Sequence, residues 1–198
     1  MIYIMKNGKD NEMKLVLFIL KNPESEYNSR NLAELMGISP MGALKIARKL
    51  EAEGILKSRQ IGKAKIYNIA YDNNYAQVYV SFLLKREAEQ ASPYVKRWIK
   101  ELQKIKHAKA VVLFGSVLSK KEKAGDIDAL IVVDQKNFKE AQKEVDDINL
   151  LNEKKIHPVY QTENDLEKHI NEDNKVILNA IKGMVLSGED VLIKHLRK

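Results

Sequence analysis

Residues 113–134 read LFGSVLSKKEKAGDIDALIVVD. The run AVVLF, which ends at Phe114, and the later run DALIVV are apolar without alternation, and this predicts two strands that are buried on both faces. Gly115 and Ser116 end the first strand, and a lysine-rich spacer leads to Asp-Ile-Asp at the start of the second. The stretch therefore predicts the sheet around which the second half of the chain folds.

The Gly-Ser break is a candidate anion site. Glycine lets backbone N–H groups approach a bulky anion that a Cβ would repel, and a helix that begins at Ser116 would turn its first N–H groups towards a phosphate. Lys120, Lys121 and Lys123 in the spacer add electrostatic attraction. We therefore expect Gly115, Ser116 and Lys120 to bind a nucleotide.

The paired acids are a candidate metal site. Asp126 and Asp128 are two residues apart, so on a strand their side chains project from the same face. Two carboxylates this close repel each other unless a cation lies between them. Mg²⁺ is such a cation, and it also bridges the phosphates of a nucleotide. An isolated Asp-x-Asp is usually a surface pair, but the combination with Gly115 and Ser116 is more specific.

This combination resembles the nucleotidyltransferase superfamily typified by DNA polymerase β, in particular the minimal group akin to kanamycin nucleotidyltransferase. The resemblance covers roughly residues 107–198 and implies a mixed sheet with flanking helices. It also implies that Gly115 and Ser116 bind the β- and γ-phosphates of ATP or another nucleoside triphosphate, and that Asp126 and Asp128 hold two Mg²⁺ ions. The implied reaction transfers a nucleotidyl group, AMP, to a hydroxyl of a protein, an RNA or another acceptor.

The family pattern includes a third carboxylate on a later strand, and the sequence departs from it there. The next predicted strand, KKIHPVYQT, contains no acid. Asp134 lies about 20 Å farther along the preceding strand, and Asp146 and Asp147 fall on the solvated side of a predicted helix. His157 is a candidate base or metal ligand in the missing role, and the alternative is a structural histidine. Whether the domain is an enzyme stays open at this stage.

Charge is distributed unevenly along the chain. Residues 1–106 contain 19 Lys and Arg against 11 Asp and Glu, whereas residues 107–198 contain 15 against 16. A basic first half predicts a polyanionic partner, since cations concentrate where phosphates are neutralised.

The first half contains the pattern of a helix-turn-helix. Ser29 is a candidate cap for a short helix, Gly37 supplies a left-handed turn, and Ser39-Pro40 starts a second helix. On this second helix the 3.6-residue period directs one set of residues inward: Ala43, Leu44, Ala47 and Leu50. A hairpin around Gly62 follows. The candidate DNA-binding cations of the helix and hairpin are Lys45, Arg48, Lys49, Arg59, Lys63 and Lys65.

Residues 12–70 resemble the winged helix-turn-helix of MarR-like and ArsR-like transcription regulators, on the phrase LAELMGISPMGALKIARKLEAEGILKSRQIGKAKIYNI. The resemblance implies that residues 40–53 enter the major groove of double-stranded DNA, where Lys45 and Arg48 reach phosphates or guanine edges. The alternative is a winged helix used only for protein contacts.

Two further helices are predicted between the halves. Their apolar positions are Tyr75, Val78, Tyr79, Phe82 and Leu83 on the first, and Tyr94, Val95, Trp98, Leu102 and Ile105 on the second. Such stripes are typical of a core or a dimer interface, and winged-helix regulators commonly bind two half-sites as homodimers. Near the C-terminus, NKVILNAIKGMVLSGEDVLIKHLRK predicts a turn at Gly188-Glu189-Asp190 before a last helix, and ahead of it one helix with these residues inward: Val176, Ile177, Ala180, Ile181 and Met184.

The sequence thus predicts an α+β protein in three parts: residues 1–72 as a DNA-binding winged helix-turn-helix, residues 73–106 as a helical linker, and residues 107–198 as a nucleotidyltransferase-like domain. No apolar run spans a membrane, and the absence of cysteine fits a cytoplasmic location. Two functions stay open. One is an adenylyltransferase guided by DNA or a partner, and the other is a transcription regulator whose degenerate transferase domain senses a nucleotide or acts as a scaffold.

Overall fold

The computed structural model describes residues 11–196. Contacts divide this part of the chain into two units, residues 11–83 and residues 84–196. One helix, Asn74–Glu89, crosses this boundary, so the predicted linker is divided between the units. Within the described residues no helix is both long enough and apolar enough to cross a membrane.

The N-terminal unit has the arrangement of a winged helix-turn-helix. Its elements are α1 (Asn11–Lys21), β1 (Tyr27–Asn28), α2 (Ser29–Met36), α3 (Pro40–Ala52), β2 (Leu56–Ile61) and β3 (Ala64–Ile69). The strands form an antiparallel sheet in the order β1-β3-β2, and β2 and β3 are joined by the predicted hairpin turn at Gly62.

Local contacts fix the turn between α2 and α3. Gly37 adopts the predicted left-handed conformation with φ 66°, and the Ser39 hydroxyl accepts the N–H of the third residue of α3, as expected for a cap. The prediction that Ser29 caps α2 is wrong, because Ser29 is the first residue of the helix. Asn28 caps it instead, in a reciprocal capping box with Asn31. Pairing of Asn28 with β3 holds it in the extended conformation that a cap requires.

Helix α3 separates its two faces largely as predicted. Ala43, Ala47 and Leu50 are fully buried, whereas Leu44, which was predicted to point inward, is only half-buried. Lys45 and Arg48 are exposed on the outer face. The cationic face of the helix is therefore open to solvent.

The two linker helices differ in what covers their apolar residues. On α4 (Asn74–Glu89) three large apolar side chains stay exposed, Tyr75 by 55%, Val78 by 60% and Phe82 by 52%. On α5 (Pro93–Leu102) the predicted inner face, including Trp98 and Leu102, is buried in the core of the C-terminal unit. Of the two alternatives for these stripes, a core or a dimer interface, α5 takes the first, because its own domain covers its apolar face.

The C-terminal unit contains the mixed sheet that the sequence predicts. Besides α5 its elements are β4 (Ala110–Phe114), α6 (Ser116–Lys120), β5 (Ile127–Val132), α7 (Phe138–Leu151), β6 (Ile156–Gln161), α8 (Glu163–Asn171), α9 (Lys175–Ile181), β7 (Met184–Ser187) and α10 (Glu189–His195). The strand order is β6-β5-β4-β7, and only β5 and β6 are parallel.

Alternation along β5 gives its two faces different roles. Ile127, Ala129 and Ile131 pack in a core with residues of α5 and α7. Asp128 projects from the opposite face.

The C-terminal segment differs from the prediction of one continuous helix. Helix α9 ends at Ile181, Met184 begins strand β7, and Val176 is 55% exposed rather than inward. Strand β7 pairs with β4, so a non-local contact determines the conformation of this short apolar run.

Candidate functional site

Three strands bring the predicted acids and the histidine to one end of the C-terminal sheet. Phe114 at the end of β4 pairs with Asp128 on β5, and Asp128 is in register with His157 on the parallel strand β6. Asp126 immediately precedes β5. Asp128 and His157, which are 29 positions apart in the chain, therefore lie side by side.

Asp126, Asp128 and His157 form a cluster with metal-ligand chemistry. One potential ligand atom from each of the three side chains lies within 4.8 Å of the other two. Nδ1 of His157 lies 3.1 Å from Oδ2 of Asp126, and these two side chains are 62% and 41% exposed. Within residues 11–196 neither aspartate forms an ion pair with a lysine or an arginine. Among the described residues, no lysine or arginine therefore neutralises these carboxylates.

Burial and neighbouring charge perturb the ionisation of Asp128. Partial burial raises its pKa, the negative charge of Asp126 raises it further, and His157 acts in the opposite direction. A divalent cation beside the pair would remove the repulsion, so the donor set fits a bound metal ion.

Gly115 has a more specific role than the predicted approach to an anion. Its φ of 78° and ψ of −154° lie in a region that is essentially restricted to glycine. A β-carbon at this position would lie 2.9 Å from Cγ of Asp128 and would overlap its Oδ2. Gly115 therefore makes room for the carboxylate of Asp128, a role that sequence reasoning missed.

The predicted nucleotide-binding residues lie on the segment that follows β4. Helix α6 begins at Ser116, as expected if its first N–H groups face an anion, and Gly115 directly precedes it. Lys120 ends the same helix, is exposed, and forms no ion pair with an acid among the described residues. The structure places Ser116 next to the glycine that contacts Asp128, whereas no described contact joins Lys120 to the acids.

Lys154 is a positioning residue that the sequence did not reveal. Its ammonium donates to the backbone carbonyls of Glu122 and, at 2.6 Å, of Ala124. These carbonyls belong to the spacer that leads to Asp126. The contact spans 30 residues, and no local sequence pattern signals it.

The acids that were set aside in the sequence are far from this cluster. Asp134 follows the opposite end of β5, where Lys109 binds it at 2.8 Å, and Asp146 and Asp147 are exposed on α7. Strand β6 contributes no carboxylate, and His157 occupies the position next to Asp128.

The predicted DNA-binding cations fall into two groups. Lys49 contacts Glu12 at 2.8 Å, Lys65 contacts Glu51 at 2.7 Å, and Arg59 pairs with Glu26. The other three are exposed and form no ion pair within the described part of the chain: Lys45, Arg48 and Lys63.

Comparisons with known proteins address both units. Residues 96–182 match the family model described as polymerase beta, nucleotidyltransferase. Among solved structures, the chain is similar to the homodimeric winged helix-turn-helix DNA-binding domain of Mb0332 from Mycobacterium bovis, described as a possible ArsR-family transcriptional regulator. That match has 16% identity over 43% of this chain and 73% of that one, with a TM-score of 0.34.

The chain is also similar to a mutant of ZitR from Lactococcus lactis, with 13% identity over 47% of this chain and 68% of that one and a TM-score of 0.27. Among curated proteins none matches the chain. The family model and the topology of the N-terminal unit agree with the resemblances noted in the sequence. The chain thus combines a unit with the arrangement of a winged helix-turn-helix with a region, residues 96–182, that matches the nucleotidyltransferase family model.

Proposed function

We propose that the C-terminal domain binds a divalent metal and a nucleoside triphosphate, and transfers the nucleotidyl group, AMP in the case of ATP, to a hydroxyl of a protein, an RNA or another acceptor. The observation that carries this proposal is the pair Asp126 and Asp128, which lacks a lysine or arginine partner among the described residues and lies against Gly115. A carboxylate pair that needs a cation, next to a segment suited to phosphate, is the arrangement that metal-assisted nucleotidyl transfer requires.

Each residue of the site has a separate task in this proposal. Asp126 and Asp128 hold the metal, for which Mg²⁺ is the expected ion, and Gly115 keeps the carboxylate of Asp128 in place. Ser116 offers its hydroxyl and backbone N–H to the β- and γ-phosphates. When bound, the metal neutralises phosphate charge and stabilises the attacking and leaving oxygens. His157, next to both acids, accepts the proton of the acceptor hydroxyl or binds the metal.

Label transfer from α-³²P-ATP tests this proposal. The double variant Asp126→Asn, Asp128→Asn should reduce transfer at least about 100-fold, because a bound metal contributes several kcal/mol to charge stabilisation. The matched control is Asp146→Asn, Asp147→Asn, an adjacent acid pair that is exposed on α7. Transfer that is absent in the wild type, or equal in the two double variants, contradicts catalysis at this site.

A regulator with a degenerate transferase domain is the second candidate. The observation that favours it is strand β6, which provides a histidine where the family pattern has a carboxylate. In that case Mg-ATP binds and changes the affinity of the chain for DNA, and no label is transferred. Equilibrium DNA titrations with and without Mg-ATP, made beside the transfer assay, separate the two functions.

We propose that the N-terminal unit binds double-stranded DNA through the outer face of α3 and the hairpin. The exposed cations Lys45, Arg48 and Lys63 support this, because they are available to phosphates or base edges. Fluorescence anisotropy of the full chain with labelled duplex DNA tests it. Salt-insensitive or absent binding would favour a protein-contact module. A DNA ligand and the lack of cysteine both fit a cytoplasmic location.

A homodimer is proposed through the exposed stripe of α4, which is formed by Tyr75, Val78 and Phe82. Three large apolar side chains in one exposed stripe are typical of a protein interface. Sedimentation should detect a dimer that Val78→Lys converts to monomer. The control Val176→Lys changes an equally exposed valine on α9 and should leave the dimer intact.

A further inference from the structure

We infer that Asp126, Asp128 and His157 bind one metal ion together, and that the imidazole makes this centre favour a transition-metal ion of the Zn²⁺ type over Mg²⁺. This inference rests on the proposed function in one respect, namely that the two aspartates hold a metal. It adds the third ligand and the chemical class of the ion.

Geometry is the first support. Octahedral ligands about 2.1 Å from an ion are about 3 Å apart when adjacent and about 4.2 Å apart when opposite. Nδ1 of His157 and Oδ2 of Asp126 are 3.1 Å apart, and ligand atoms of all three side chains fall within 4.8 Å of one another. The 3.1 Å separation therefore matches two adjacent ligands of one ion, and rotation of the side chains closes the remaining distance to the third. Within residues 11–196, Asp126, Asp128 and His157 are the group of three potential metal ligands whose donor atoms lie this close together.

The backbone is the second support. Asp128 and His157 occupy matching positions on the paired parallel strands β5 and β6, so the sheet itself fixes their spacing. On its other side, the absence of a Cβ at Gly115 leaves room for the carboxylate of Asp128. A donor set that is held by rigid strands has its geometry before any ion arrives, which lowers the cost of binding.

Donor chemistry determines the preference. Mg²⁺ takes oxygen ligands, releases its waters reluctantly and gains little from an imidazole. Zn²⁺ and neighbouring ions accept imidazole nitrogen as readily as carboxylate oxygen. Almost any protein site binds Zn²⁺ more tightly than Mg²⁺, so tighter binding of Zn²⁺ does not by itself support the inference. The decisive quantity is the change in the ratio of Zn²⁺ to Mg²⁺ affinity when His157 is replaced.

The remaining three histidines serve as internal controls because each has a different partner. Nδ1 of His107 lies 2.9 Å from Glu144, and Nδ1 of His169 lies 2.7 Å from the side chain of Gln161. His195 is buried against Glu163. With ¹⁵N-labelled histidine, nuclear magnetic resonance can therefore report on four distinct imidazoles in the intact chain.

The test titrates the full, metal-free protein with Zn²⁺ and separately with Mg²⁺, and follows both the imidazole ¹⁵N shifts and the binding heat. We expect Zn²⁺ to move the resonance that disappears in His157→Gln, and Mg²⁺ to leave it unmoved. His157→Gln should weaken Zn²⁺ binding at least about tenfold and change Mg²⁺ binding less than about twofold. In His157→Asp, which replaces nitrogen by a hard oxygen, the ratio of Zn²⁺ to Mg²⁺ affinity should fall at least about tenfold.

Failure of the inference is distinguishable from failure of the proposed function. If metal binding depends on Asp126 and Asp128 while His157 variants leave the affinity ratio unchanged, the histidine is not a ligand and the inference is overturned. If wild-type protein binds neither ion in a way that Asp126→Asn and Asp128→Asn abolish, the proposed metal site itself fails. His157 is 62% exposed, so its variants should fold, and circular dichroism checks this.

Discussion

The two ends of the strands in the C-terminal sheet differ in how their charges are balanced. At the ion-pair end, Glu163 contacts Lys109 at 2.7 Å, Lys194 at 2.8 Å and His195 at 3.0 Å, and Lys109 also contacts Asp134. Hydrogen bonds from Lys109, Lys194 and His195 hold the pKa of Glu163 far below its ordinary value, and hydrogen bonds to Asp134 and Glu163 raise the pKa of Lys109 to about 12. Every charge in this group has an opposite partner.

At the carboxylate end, by contrast, the contact of Asp126 with His157 is the one ion pair that the two aspartates form within the described residues. The pKa of Asp128 is raised, whereas that of Glu163 is lowered. The first group is balanced by side chains within the described residues, whereas the proposed metal site would be balanced by a cation from outside. The predictions below test this distinction.

The largest expected effect is that of Gly115→Ala. The new methyl group collides with the carboxylate of Asp128 and forces the backbone out of a region that only glycine populates. Because a displacement of about 1 Å costs about 100-fold in a catalytic site, metal-dependent transfer should fall at least that much. Gly125→Ala is the control, since a Cβ there meets no atom within 4 Å. Equal activity of the two variants would show that Asp128 needs no such space.

The next effect concerns the stability of the ion-pair end. Glu163→Gln keeps the shape of the side chain and removes the charge that Lys109, Lys194 and His195 share. We expect the free energy of unfolding to fall by about 2 kcal/mol, as for hydrogen bonds to a charged group. Urea denaturation measures it, with Glu140→Gln on the exposed first turn of α7 as the control. A loss that is no larger than the control's would mean that this group contributes nothing.

The pH dependence of that difference follows from the lowered pKa of Glu163. A carboxyl that is more acidic in the folded state contributes its full stabilisation above its ordinary value of 4.5, and the contribution is lost as pH falls below this value towards the folded pKa. The gap in unfolding free energy between wild type and Glu163→Gln should therefore be constant from neutral pH to about 5 and shrink below about 4.5. If the difference in unfolding free energy between wild type and Glu163→Gln grows as the pH falls, the lowered pKa of Glu163 is contradicted.

At the carboxylate end a neutralising substitution should raise the free energy of unfolding, whereas Glu163→Gln at the ion-pair end should lower it. Asp128→Asn removes repulsion from Asp126 and the cost of a partly buried charge, which are the two causes of its raised pKa. In the presence of a chelator we expect the variant to be more stable than wild type by about 0.5–1 kcal/mol, in the range of other substitutions that relieve strain at a functional site. Asp134→Asn, which removes one of the two acids that pair with Lys109, should destabilise instead. If both variants are more stable than wild type, or both are less stable, the two ends of the sheet do not differ in charge balance.

Local patterns in the sequence predicted most of the fold. The caps and glycines around α3, the hairpin at Gly62 and the two buried strands β4 and β5 are all determined by neighbouring residues. Strand β7 was missed because its four residues become a strand only by pairing with β4. Asn28 was missed as a cap because β3 determines its backbone conformation.

The candidate site also contains some features that neighbouring residues determine and others that depend on contacts between distant parts of the chain. The two-residue spacing of Asp126 and Asp128 is local, and it was sufficient to predict that they lie together. The contact of Gly115 with Asp128, and that of Lys154 with the spacer, depend on strand pairing and on a loop 30 residues away. No pattern within either segment carries that information.

The contrast between balanced and unbalanced charges also sharpens the DNA-binding proposal, with the smallest expected effect. Lys45 and Arg48 form no ion pair among the described residues, whereas Lys49 and Lys65 each contact a glutamate. Lys45→Ala or Arg48→Ala should each reduce the slope of log affinity against log salt by about 0.9, because one counterion fewer is released on binding. Lys49→Ala and Lys65→Ala should reduce it less, since a neighbouring acid already neutralises each ammonium. Anisotropy titrations at several salt concentrations measure the four slopes. If all four changes are equal, the surface ion pairs rearrange on DNA at no cost, and charge balance in the free protein does not identify the binding residues.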